Sequence, residues 1–140
     1  MGLLDWLFRR LSSSRRAPPV ASLEGPGTYS LPVVGESHYQ KHFQRICGRR
    51  KRRGEDKVVQ ATLVLENSNK FDNNAVRVDI NGLTVGYLER EHAIQYRKLL
   101  RKAGHPRLTA TCDANIRGGW DDGDGDVGSY GVWLDLPMDE

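Results

Sequence analysis

The sequence predicts a small, mainly β domain: a barrel or strongly bent sheet of about six short strands with two helices. Several short stretches alternate apolar and polar side chains, the period of a half-buried strand. An Asn-Gly pair at 81–82 separates two of these stretches, and it is the strongest short-range hairpin signal because a type I′ turn needs positive φ at both central residues. Within the alternating region, two segments instead space their apolar residues as a helix does.

In chain order, Leu3, Leu4, Leu7, Phe8 and Leu11 share one helical face, so residues 1–11 are expected to form a short amphipathic helix. Residues 12–28, "SSSRRAPPVASLEGPGT", mix Ser, Pro and Gly and read as a flexible linker, with the domain proper at 29–137. "TYSLPVVG" is a first strand ending at Gly35. In "SHYQKHFQRICG", Tyr39, Phe43, Ile46 and Cys47 fall on one helical face, and Gly48 suits the stop. "KVVQATLVLE" turns Val59, Ala61, Leu63 and Leu65 to one side. "NAVRVDI" and "LTVGYL" flank Asn81-Gly82 as hairpin strands. "EREHAIQYRKLLRKAG" is a helix with Ala93, Tyr96, Leu99 and Leu100 inward. "RLTATCDANI" and "SYGVWLDL" complete the sheet.

Composition narrows the function classes. The chain has 140 residues, 38% hydrophobic and 28% charged, which suits one globular domain. No apolar run reaches the roughly 18 residues of a membrane span. The opening "MGLLDWLFRR" is too short and too interrupted by Asp5 for a secretion signal, and Trp6 stands where a myristoylation signal needs Ser or Thr. The expected location is the cytoplasm. Cys47 and Cys112 lack metal or redox spacing and read as free, buried thiols. Charge is uneven: residues 1–57 hold twelve of the 21 Lys and Arg, whereas residues 111–140 hold eight of the 18 acids and a single cation, Arg117. Such asymmetry points to an anionic partner for part of the surface.

The segment "ENSNKFDNNAV" (66–76) concentrates amides and carboxylates, and two explanations stand side by side. Asn and Asp bond their own backbone in turns. Phe71, flanked by Lys70 and Asp72, also offers a stacking face with donors and acceptors around it, which suits a single-stranded nucleic acid. The run Arg49, Arg50, Lys51, Arg52, Arg53 is either a solvated loop or a tracker of phosphates. His38 and His42 sit four apart without the Glu of a metalloprotease helix, and "DDGDGD" (121–126) fails the calcium-loop pattern, so no metal and no cofactor are expected.

Three blocks, "VVGESHY" (33–39), "NKFDNNAVRV" (69–78) and "VGYLERE" (85–91), resemble the signature blocks of HIRAN domains in order and spacing. The resemblance spans about residues 31–136 and implies an OB-like HIRAN fold in a small standalone, bacterial-type member. It further implies a non-enzymatic module that grips single-stranded DNA at a free 3′-hydroxyl end, in repair or replication-fork processing, beside a helicase or nuclease partner. By motif position, Asp72 accepts a hydrogen bond from the 3′-hydroxyl, Phe71 and Tyr39 flank the terminal bases, and Asn69 contacts the end nucleotides. Tyr87 and Arg90 take the polar and basic positions of the third block. The chain departs from the helicase-fused pattern at Ser37, where an arginine contacts DNA, and at His38, which replaces a stacking tyrosine with another ring.

Two rival readings remain open on residues alone. In one, the barrel is a scaffold and the N-terminal helix docks a protein partner. In the other, Asp72, Asp79 and Glu89 form a metal-dependent nuclease centre, although their spacing matches no ligand motif.

Overall fold

The computed structural model describes residues 10–14 and 17–138, with side chains from Ala21 onward. The strands are β1 (Arg10–Ser14), β2 (Ala17–Ser22), β3 (Leu31–Val34), β4 (Glu55–Leu65), β5 (Val76–Ile80), β6 (Leu83–Leu88), β7 (Thr109–Gly118) and β8 (Tyr130–Leu134). The helices are α1 (Gln40–Cys47), preceded by a 3-10 turn at Glu36–Tyr39, and α2 (Arg90–Lys102). Strands β7, β4, β5, β6, β3 and β8 pair antiparallel in that order, and β8 returns to β7. This is a closed, OB-like six-stranded barrel with two helices, the fold class the alternating pattern predicts.

Alternation sets the interior. On β5, Val76, Val78 and Ile80 are buried while Arg77 and Asp79 face out. Each buried aliphatic side chain contributes roughly 1.5–3 kcal/mol. Ala61 and Leu63 of β4, Cys112, Ala114 and Ile116 of β7, and Val132 and Leu134 of β8 meet them. Asn81 and Gly82 have φ of 52° and 76°, so the hairpin turn is the type I′ that Asn-Gly predicts. A bulge follows: Val78 pairs with Gly86 and Asp79 with Thr84. At Gly86 a Cβ would lie 2.5 Å from Val33 Cγ1 and 2.6 Å from the Val34 carbonyl, so only glycine lets β3 come this close.

The segment expected to be a flexible linker is instead part of the sheet. It holds the end of β1 and all of β2, which pair antiparallel, and β2 pairs parallel with β7 through Val20, Ala21 and Ser22. The physical reason is a stretch of β7, Thr109–Thr111, whose outer ladder β8 does not reach; β2 satisfies its N–H and C=O groups. Ala21 and Leu23 enter the core, and Leu23 N–H donates to the Thr111 carbonyl at 2.7 Å. Asp135 then fixes residues 25–29: its carboxylate accepts from Gly27 N–H at 2.9 Å and Tyr29 N–H at 3.4 Å. Of the expected N-terminal helix, residues 1–9 lie outside the described residues, and Arg10 and Leu11 belong to β1.

The first barrel helix also begins later than its apolar spacing suggests, because residues 36–40 close the barrel. β3 leaves β8 after Pro32 pairs with Trp133, and side chains take over the ladder. Glu36 Oε2 accepts from Val132 N–H at 2.6 Å, while the Gln40 amide accepts from Tyr130 N–H at 2.8 Å and donates to the Tyr130 carbonyl at 3.1 Å. Burial pushes the Glu36 carboxyl up from 4.5 to about 7, with the Val132 N–H opposing. An acid whose folded-state pKa is raised contributes stability that is complete below its unfolded pKa and is lost as pH rises through the folded one. Thermal stability should therefore fall between about pH 5 and about pH 8, more steeply than in Glu36→Gln, which keeps an acceptor for Val132 but does not titrate. Parallel melting-temperature profiles for the two proteins would contradict this.

Candidate nucleic-acid interface

The β4–β5 loop, residues 66–75, is built by its own amides. Glu66 N–H donates to the Ala75 carbonyl at 2.9 Å and closes the base. Asn69 Oδ1 accepts from Phe71 N–H at 2.9 Å and from Asp72 N–H at 3.1 Å. Asp72 Oδ1 accepts from Asn74 N–H at 2.9 Å. Asn69 and Asp72 thus do the turn work expected of Asx side chains. Turn chemistry does not account for Phe71, which stands 98% exposed at the tip. A ring left wholly in water contributes nothing to the core, and a loop this well bonded holds it there.

Glu66 connects this loop to the outer face of β5 and β6. Its Oε1 accepts from Asn69 Nδ2 at 2.9 Å and its Oε2 from Arg77 Nη1 at 3.1 Å. Arg77 also forks onto Asp79, with Nε and Nη2 each 3.0 Å from a carboxylate oxygen, and Thr84 Oγ1 donates to Asp79 at 3.0 Å. The Tyr87 hydroxyl feels both Glu66 and Tyr39. Burial alone would raise the Glu66 pKa, but the bonds from Asn69, Tyr87 and Arg77 and the Arg77 charge outweigh it and hold the carboxylate ionised. Burial first, then Glu66, lifts the Tyr87 hydroxyl far above the usual phenol range, so it stays a donor. Tyr39 stacks on His42 with centroids 5.7 Å apart, His38 meets Tyr39 edge-on at 6.4 Å, and His42 Nδ1 lies 2.5 Å from the Thr84 carbonyl. Beside the loop, Val64, Glu66, Asn69 and Arg77 line an open groove of about 650 Å³.

The structure holds Asn69, Phe71 and Asp72 in one loop, with Tyr87 on β6 under the influence of Glu66 and Tyr39, and with His38 edge-on to Tyr39. Arg90 is exposed at the start of α2, and its side chain makes no hydrogen bond or ion pair among the described residues. The basic run lies at the opposite end of β4 from the Asn-rich loop: it precedes the eleven-residue strand, and the loop follows it. Within the run, Arg50 Nη1 donates to the Gly128 carbonyl at 2.6 Å with its guanidinium 4.9 Å from the Tyr130 ring centroid, and Lys51 pairs with Glu55 at 3.0 Å. Arg50 and Lys51 therefore hold local structure, while Arg49, Arg52 and Arg53 form no ion pair among the described residues. The acidic loop is bonded to the same place, Asp121 N–H donating to the Lys51 carbonyl at 2.9 Å, and its carboxylates offset the local positive charge. Among the described residues, no group of three His, Cys, Asp or Glu side chains could hold a metal ion, and no helix is long and apolar enough to cross a membrane.

Three residues of the site escaped the sequence reading. Glu66 and Arg77 were visible only as polar neighbours of the strands they join. The third, Arg97, is only 9% exposed. Its Nε donates to the Asn74 carbonyl at 2.7 Å, Nη1 to Asn67 Oδ1 at 2.7 Å, and Nη2 to the Ala75 carbonyl at 2.8 Å. A signal for it existed: Ala93, Tyr96, Arg97 and Leu100 fall at i, i+3, i+4 and i+7, so this arginine occupies the inward face of its helix.

No protein-family model matches the chain, and no curated protein matches it. Among solved structures, the chain is similar to the HIRAN domain of human HLTF, with 15% sequence identity and a TM-score of 0.37 over 77% of this chain and 78% of that one.

Proposed function

We propose that this chain is a HIRAN-type module that binds single-stranded DNA and prefers a free 3′-hydroxyl end, without catalysis of its own. It would act in the cytoplasm, in DNA repair or fork processing, beside a helicase or nuclease. The observation that carries the reading is Phe71, 98% exposed on a loop whose backbone is fixed by Asn69 and Asp72. Single strands are held by aromatic faces that stack on unpaired bases and by polar groups that read an end. Asp72 Oδ2 takes no hydrogen bond among the described residues and can accept one from a terminal hydroxyl. Tyr39, His38 and Tyr87 supply further rings, Asn69 an amide and Arg90 a cation. Asp79 is occupied by the Arg77 fork and Thr84, which argues against its use as a nuclease ligand.

Electrostatics gives the first test. Affinity for a single strand should fall with salt at a log–log slope of about −0.7 per phosphate neutralised, so about three to five contacts give about −2 to −3.5. Replacing Arg49, Arg52 and Arg53 together by Gln, leaving the structurally engaged Arg50 and Lys51 in place, should flatten that slope if the strand runs on toward the basic run. An unchanged slope would make the run a solvated loop. Salt-independent binding, or equal affinity for blunt duplex, would remove the single-strand reading itself.

A further inference from the structure

We propose that Arg97 is the positioning residue of the interface, clamping both limbs of the Phe71 loop to α2 so that the ring is held in place before any strand arrives. The proposal rests on the DNA-binding reading. Asn67 lies on the ascending limb of the loop, and Asn74 and Ala75 on the descending one; one guanidinium bonds to all three at 2.7–2.8 Å. Phe71 is 98% exposed, so its place in space is set by the loop backbone alone. Loosening the backbone would therefore charge the ordering of the loop against binding, while a fixed loop avoids that cost.

The chemistry of the clamp is specific to arginine. All three acceptors are neutral, and among the described residues no carboxylate stands within ion-pair distance of Arg97. A nearly buried cation without a counter-ion is costly unless its hydrogen bonds are satisfied, and the planar fork satisfies three at once. A lysine ammonium keeps the charge but cannot reproduce that geometry. Burial draws the Arg97 pKa down and the Asp72 carboxylate of the same loop opposes it. Arg90 lies seven residues earlier on α2, two turns or about 10 Å along the axis, on nearly the same helix face. The clamp thus ties the loop to the helix that carries Arg90.

Two variants test this, Arg97→Lys and the milder Asn67→Ala, which removes one acceptor at an exposed position and leaves the core intact. Amide hydrogen exchange is read at Phe71, Asp72, Asn74 and Ala75, with β4, β5 and β7 as internal controls, and affinity is read with a 3′-hydroxyl oligonucleotide. Both variants should speed loop exchange, by about tenfold or more in Arg97→Lys, with the strand amides unchanged. Affinity should fall, and Phe71→Ala should cost less in the Arg97→Lys background than in the wild type. Unchanged loop exchange in both variants, or full affinity despite faster exchange, would overturn the proposal. If the wild-type protein binds no oligonucleotide, the DNA reading fails, and loop exchange alone then decides whether Arg97 is the clamp.

Discussion

Phe71→Ala is expected to weaken binding of single-stranded DNA by about 1–3 kcal/mol, roughly 5- to 150-fold, while leaving the melting temperature where it was. The two halves of that expectation come from the same fact. A side chain that is 98% exposed has almost no folded-state contacts to lose, and surface substitutions of this kind usually shift stability by less than about 0.5 kcal/mol. A stacking platform, by contrast, acts only once a base lies on it. The loss should be alike for 3′-hydroxyl and 3′-phosphate strands, because a ring reads the face of a base and not the chemistry of the end. Titration of both strands against the variant checks it; a variant that binds both as well as the wild type would show that the ring is not a contact.

Asp72→Asn should behave differently. A carboxylate repels every phosphate along a strand and becomes favourable only at the terminal 3′-hydroxyl, which can donate to it. Charge-assisted hydrogen bonds are worth roughly 1.5–3 kcal/mol, or about ten- to a hundredfold. The amide keeps an oxygen for the Asn74 N–H, so the turn survives. It removes the repulsion, so the variant should bind 3′-phosphate ends relatively better and lose most of its preference for 3′-hydroxyl ends. A variant with an undiminished end preference would place the reader of the end elsewhere.

Local rules made the barrel legible and left its seams hidden. Alternation on "VRVDI" gave the inward face of β5, and Asn81-Gly82 gave the hairpin, because both depend on neighbours in the chain. β2 was misread as linker because Pro18, Pro19 and the glycines that follow are loop signals, whereas its strand state is decided by β7, some ninety residues away, which leaves a ladder to fill. Closure by Glu36 and Gln40 was equally invisible, since their partners are backbone atoms of Tyr130 and Val132. The loop divides the same way. Asn69 and Asp72 were readable as turn residues from spacing alone. Arg97, thirty residues from Asn67 along the chain, shows its purpose only when α2 is packed beside the loop.

The central claim is recognition of a 3′-hydroxyl end at Asp72, and one comparison addresses it directly: equilibrium titration of the wild-type protein with a single-stranded oligonucleotide ending in a 3′-hydroxyl and with the same strand ending in a 3′-phosphate, at one salt concentration. The arrangement of Phe71 and Asp72 predicts tighter binding of the 3′-hydroxyl strand by about tenfold or more, because the phosphate replaces a donor with a second anion. Equal affinities for the two strands would contradict end recognition and reduce Asp72 to the turn residue that its bond to Asn74 already makes it.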